Sequence, residues 1–336
     1  MNWLVWKQHS KQFMIAAILL ALFAALLIPT GLHYWQVYQH ALSTCSQSNT
    51  CDELKVELFQ SSIDQALFQL EPFAILILPI VLGLFWGVPL LAREYTEGTN
   101  LLVWTRSISR RRWLTTKLIW ILVATAAISG AFTALSTWWS KTPNALNLDR
   151  FVDLPFSAQG IVPVAYAIFA VALGTALGAW FKRTMIALGV TLVLLVGIII
   201  IVVPKLVRPQ YVAPITVTSS MDFDALRSKL PSGAWRLSTG IIDKNGNTFD
   251  HLDFPSWPPQ CQTIAQQTQQ TPTAGPKTAG SATVDSCLTA AGYRQIARYQ
   301  PDNRYWEFQQ IEFGLYMLLS LIPIGATYWL VLRRDA

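Results

Sequence analysis

Residues 93–117 concentrate the polar chemistry of this sequence. They hold Arg93, Glu94, Glu97, Arg106, Arg110, Arg111, Arg112 and Lys117, with Gly98, Thr99 and Ser107 between them, and the apolar run Leu101-Leu102-Val103-Trp104 interrupts them. Guanidinium and carboxylate groups at this density suit charge-assisted contacts, and an apolar, aromatic run inside a polar loop suits desolvation against a partner. Basic residues alone also accord with ordinary membrane orientation, and Trp113 with anchoring in a headgroup belt. The four histidines are scattered at His9, His33, His40 and His251, so no HExxH pair or embedded serine with a base forms. No GxxxxGK[ST] loop is present, so this chain does not hydrolyse ATP by that route. The chemistry on offer is binding, and any ATP and Mg belong to a partner.

Cys45, Cys51, Cys261 and Cys287 are the remaining candidates. Without CxxC spacing or a nearby histidine they suit disulfides better than zinc. Cys45 with Cys51 and Cys261 with Cys287 is the simplest of three connectivities.

The elements that position these groups are apolar helices. The chain has 336 residues, 52% hydrophobic and 13% charged, where a soluble domain carries about 25% charged residues. A hydrocarbon core needs about 20 apolar helical residues. Six stretches meet that length: 13–30, 73–91, 118–139, 160–181, 184–203 and 313–332, none containing Asp, Glu, Lys, Arg or His. Ion-gradient transporters carry titratable groups near the midplane, and these windows offer none. The first stretch reads as an uncleaved span, because it lacks a small-x-small cleavage site and Tyr34 and Trp35 follow as interfacial residues. Residues 1–12 read as an interfacial helix or a frayed end.

Lysine and arginine sit beside alternate span ends: Lys7 and Lys11, the 93–117 loop, Lys182 and Arg183, and Arg333 and Arg334. Positive-inside orientation therefore places both termini and the loop in the cytoplasm of a bacterial cell. The segments 31–72, 140–159 and 204–312 fall outside, the first acidic through Asp52, Glu53, Glu57, Asp64 and Glu71, and all four cysteines lie in these segments. Within 204–312, the Gln- and Thr-rich tract 262–286 buries too little apolar area to order itself. Its flanks, 223–230, around Trp235 and 288–299, are expected to form a small cap, helical rather than stranded. Asp243-Lys244-Asn245-Gly246-Asn247 is turn chemistry.

Two motifs carry a resemblance. Ala92-Arg93-Glu94-Tyr95-Thr96-Glu97-Gly98-Thr99, then Thr105-Arg106-Ser107-Ile108-Ser109-Arg110-Arg111-Arg112-Trp113 and Lys117, resemble the ARExExGT and TQS[VI][ST]RxRW pattern of ABC-2 type ABC transporter permeases. Thr96 displaces an acidic position and Arg106 replaces glutamine. Before the last span, Pro301, Arg304, Trp306, Gln309 and Glu312 are similar to the family's PxxR[FY]WxxQ stretch with a following acid. The resemblance implies an all-α polytopic membrane protein: six transmembrane helices (five within 13–203, the sixth in 313–336), a cytoplasmic coupling loop and a partly disordered extracytoplasmic segment before the last span. It implies an exporter subunit rather than an enzyme. Its expected partners are an ABC ATPase subunit, a second permease copy or paralogue and membrane lipid, with no nucleic acid and no cofactor bound by this chain. In that reading 93–117 couples the ATPase to the spans. Gly174-x-x-x-Gly178 permits close helix approach, within one subunit or at a dimer seam. A sensor or scaffold with an external ligand-binding cap is the alternative.

Overall fold

The computed structural model describes residues 2–44, 62–98, 109–145, 150–250, 258–259, 261–262 and 279–334. The chain divides into two compact units, Met1–Tyr211 with Trp306–Ala336, and Val212–Tyr305.

The first unit is a helix bundle. Its elements are α1 (Asn2–Thr44), α2 (Ser62–Leu82) running through a π-helical turn (Gly83–Gly87) into α3 (Val88–Thr96), α4 (Arg110–Trp139), the short α5 (Lys141–Ala145) and α6 (Asp153–Ala158), α7 (Val162–Phe181), and α8 (Thr184–Leu195), which continues as a π-helical stretch (Val196–Val207). Six stretches are long and apolar enough to span a membrane: Ser10–His40, Ala66–Thr96, Arg110–Trp139, Val162–Phe181, Thr184–Gln210 and Asp302–Arg333. Each coincides with one stretch read from the sequence, so the chain is an all-α multi-pass membrane protein carrying a small sheet. Most of these helices outrun the apolar windows. The added turns bring Glu71, Lys117, Arg208 and Glu312 into them, all four buried, correcting the expectation of spans free of charge.

α1 shows the same extension. It begins at Asn2, so residues 2–12 continue into the first span, and Pro29 lies inside it. Tyr34 is buried rather than interfacial, its ring 5.7 Å from that of Trp139, whose indole N–H donates to Thr30 Oγ1 at 3.1 Å. Trp35 remains half exposed.

α7 is the centre of the bundle and packs against α2, α3, α4 and α8. Its glycines explain the close approach. A Cβ at Gly174 would stand 2.4 Å from the Gly83 carbonyl oxygen, one at Gly178 2.6 Å from that of Val88, and one at Gly87 2.7 Å from that of Val171. The GxxxG pair therefore packs backbone against backbone inside one subunit. Outward faces stay apolar, with Ile15, Leu22, Val193, Leu318 and Ile322 exposed. Lipid tails are as apolar as these side chains, so such faces need no protein partner.

The second unit lies between the fifth and sixth spans in chain order. That unit holds β1 (Ile215–Ser219), α9 (Phe223–Lys229), β2 (Trp235–Ile242), β3 (Thr248–Asp250), α10 (Ala279–Ala290) and β4 (Arg294–Gln300). The strands form one antiparallel sheet in the order β1-β4-β2-β3. This corrects the helical expectation around Trp235 and over 291–299. β1 is rich in β-branched residues, and β4 alternates exposed Arg294 and Arg298 with buried Gln295 and Ala297, which is strand periodicity. Asp243 closes the β2–β3 hairpin. The Asn247 side-chain amide first, then backbone N–H groups of the turn, hold its carboxyl below the usual carboxylate range. Cys261 is disulfide-bonded to Cys287, beside Met221, Ile241 and Leu288. The pair Cys45 and Cys51 and positions 263–278 of the 262–286 tract lie outside the described residues, while 279–286 is helical within α10, correcting the expectation that the whole tract fails to order. α11 (Tyr305–Trp329) ends in a π-helical turn (Leu330–Arg334).

Candidate functional site

The described part of the first motif, 93–98 and 110–117, and Gln309 and Glu312 of the second fall at opposite ends of the helix bundle, and each is fixed differently. At the loop end, α3 delivers Arg93, Glu94 and Glu97, and α4 delivers Arg110, Trp113 and Lys117. Ser109 caps α4, its hydroxyl accepting from the Arg112 N–H at 3.4 Å, which explains why the helix restarts there. Gly98 leaves α3 at φ +68°, a conformation that favours glycine.

Between these helices the charges sort into two kinds. Arg93 Nε donates to Glu97 Oε1 at 2.7 Å, one turn apart and largely exposed, where solvent screens the pair and it adds little to stability. Lys117 reaches across to Glu94, with side chains only 5% and 13% exposed. Its ammonium also lies 4.8 Å from the centroid of the Trp113 ring. Glu94 Oε2 is buried and has no hydrogen-bond partner among the described residues. Trp113 is 4% exposed and packs with Leu114, Leu118, Leu330 and Val331, so it belongs to the core rather than to a headgroup belt. Thr115 Oγ1 lies 2.7 Å from Tyr328 Oη, tying α4 to the last span. Lys182, in the left-handed region at φ 54°, turns α7 into α8 and places its ammonium 5.1 Å above the Tyr95 ring. The base of the loop is thus bonded to spans two, three, four and six. Thr99, Leu101, Trp104, Arg106 and Ser107 lie outside the described residues.

At the opposite end, Gln309 and Glu312 of the second motif are buried fasteners. Gln309 Oε1 accepts from the N–H groups of Ile161 and Val162 at 3.0 and 3.1 Å, satisfying free donors at the start of α7. Its Nε2 donates to the carbonyls of Phe156 and Gln159 at 3.0 and 3.2 Å. Gly160 makes room for this amide, since a Cβ there would stand 2.5 Å from Gln309 Oε1. Glu312 receives Arg208 Nε and Nη2, each at 2.8 Å, and the Tyr166 hydroxyl. Arg208 also donates to Ser157 Oγ at 2.9 Å and stacks 4.3 Å over Phe156. Arg304 does different work in the second unit, donating to the Ala213 carbonyl and Gln300 Oε1 at 3.0 and 2.8 Å. Pro301 caps the short turn that holds Arg304, and Trp306 is half exposed.

The sequence reading passed over Arg208 and Tyr166, the partners of Glu312, and Ser157 and Asp153, which accept from Arg208. The available signal was an arginine shortly after an apolar run with an acid at the start of the next span, which is a topological match rather than a local motif. Among the described residues no group of three or more His, Cys, Asp or Glu is placed to hold a metal.

Residues 17–208 match the family described as ABC-2 membrane transporter related, which covers more than half of the chain. The chain belongs to that family. It is an ABC-2 type permease, a membrane component of transport, and the family implies partnership with an ATPase. The comparison finds no matching curated protein and no matching solved structure. The matched span of the permease takes in the loop base and Arg208, and it ends before Gln309 and Glu312.

Proposed function

We propose that this permease is the membrane-spanning subunit of an ATP-driven exporter in the bacterial cytoplasmic membrane. A separate ATPase docks on the 93–117 loop from the cytoplasm, and a second permease copy or paralogue completes the pathway. The observation that supports the reading best is the loop base. Its exposed rim, Arg93 and Glu97, is available to a partner, while Glu94, Lys117 and Trp113 directly beneath it are bonded into the spans. A push on the loop is therefore delivered to packed helices, which move as a body between two arrangements. Apolar span walls suit an amphipathic or hydrophobic substrate.

The test is capture of the cognate ATPase and stimulation of its hydrolysis by permease in nanodiscs. Leu101→Ala and Trp104→Ala remove apolar anchors, and such truncations cost about 2 kcal/mol or more at a desolvated contact. Both should release the ATPase. Ile119→Ala, on an exposed face of α4, is the control that should leave capture unchanged. Orientation is read in parallel: Ser107→Cys should label only from the cytoplasm and Ser281→Cys only from outside. Unchanged capture by both loop variants would move the reading to a sensor or scaffold.

A further inference from the structure

At the end of the bundle opposite the loop, a pocket of about 440 Å³ opens between α2, the end of α4, α5 and the α6 turn. Its walls are apolar: Phe68, Pro72, Phe73, Trp139, Val152 and Pro155 all line it. Glu71 lines it as well, only 4% exposed, and Asn144 and Gln159 add a polar edge. Phe73 and Val152 remain 49% and 41% exposed, so the apolar wall continues outward from the pocket to the lipid-facing surface.

The carboxyl of Glu71 is short of donors. Ser136 Oγ contacts Glu71 Oε1 and also the Ala158 carbonyl at 3.2 Å. A hydroxyl has one proton, so it serves one of these two acceptors at a time. Among the described residues no cation pairs with Glu71, whereas Glu94, Glu97 and Glu312 each have one. Asn144 Nδ2 donates to Gln159 Oε1 at 2.9 Å and makes no hydrogen bond to Glu71. An acid in apolar surroundings is costly to keep without a partner, and such groups mark ligand sites by default.

We propose that this pocket binds amphipathic amines. The ammonium group donates to Glu71, and the apolar body lies on Phe68, Phe73 and Trp139 with its tail directed past Val152 toward lipid. Donor-bearing cations complement the carboxyl, anionic amphiphiles meet repulsion from it, and neutral ones leave it unpaired. That such amines are transport substrates rests on the permease reading above; that they bind here does not.

Binding is measured on the intact permease without ATPase, in phosphatidylcholine nanodiscs, by fluorescence polarisation of rhodamine 6G, an amphipathic cation bearing N–H donors. Saturable binding is expected, displaced by dodecylammonium but not by dodecanol or dodecanoate. Glu71→Gln keeps the shape and should weaken binding at least about tenfold, the scale of a lost charge-assisted contact. Val152→Trp fills the pocket from an exposed position and should also abolish displaceable binding, which keeps the test decisive if Glu71→Gln fails to fold. Non-saturable uptake equal to that of empty discs, equal displacement by dodecanol, or parental affinity in the folded variants would each overturn the site. Binding without amine-stimulated hydrolysis in the full complex would retain the site and remove its amines as substrates.

Discussion

Both carboxylate oxygens of Glu312 face the Arg208 guanidinium at 2.8 Å, and neither side chain reaches solvent. Residues 104 apart in sequence thereby close the fifth span onto the sixth at one end of the bundle.

Removing one partner leaves the other charge buried, which costs about 3–5 kcal/mol. Glu312→Gln is therefore expected to lower the melting temperature of the detergent-purified permease sharply. The double substitution Arg208→Met with Glu312→Leu should recover much of that loss, because an apolar pair of similar volume carries no desolvation cost. Thermal melting followed by gel filtration checks both. A single variant that melts within a degree of the parent would show that the pair does not hold the spans together.

Much of this architecture is legible in the sequence, and the rest fails for identifiable reasons. Six apolar windows locate six helices because backbone polar groups must be satisfied inside lipid, leaving hydropathy as the dominant signal. The Cys261 to Cys287 bridge is legible as the nearer pairing. Glu71, Lys117, Arg208 and Glu312 escape because a window that rejects charge stops short of buried charged groups near helix ends. The sheet escapes because Arg294 to Gln300 is short and polar on one face, and its stability comes from β1 and β2, which lie far away in sequence. Trp113 shows the same limit in reverse: a tryptophan after three arginines has the composition of a belt residue, and only packing with Leu330 and Val331 reveals it as core.

Gly174 and Gly83 provide a second test. A methyl group at 174 would collide with backbone, which cannot rotate away as a side chain does, so α7 and the π-helical turn must separate. Gly174→Ala is expected to destabilise the bundle by about 1–3 kcal/mol, the range for overpacking. Gly189→Ala meets nothing within 4 Å and should be neutral. Comparable melting of the two variants would refute the claim that this contact sets the helix spacing.

Variants at the loop base test folding apart from the proposed coupling. Glu97→Lys places two cations one turn apart on an exposed surface, where solvent and salt screen their repulsion. It should leave melting unchanged while lowering stimulated hydrolysis if, as proposed, this surface contacts the ATPase. Lys117→Met strips the cation from buried Glu94 and should lower stability by about 3 kcal/mol or more. Trp113→Ala should do likewise by opening a cavity, about 3–5 kcal/mol for a buried tryptophan. Neither single variant isolates coupling, since both perturb the fold. Glu94→Gln combined with Lys117→Met removes the charge problem and should restore melting, yet it also removes the tie between α3 and α4. If that tie transmits the ATPase's movement, the double variant captures the ATPase like the parent and stimulates hydrolysis several-fold less. Parental stimulation in the stable double variant would confine the Glu94–Lys117 pair to folding and leave transmission to Thr115, Tyr328 and the packed apolar core.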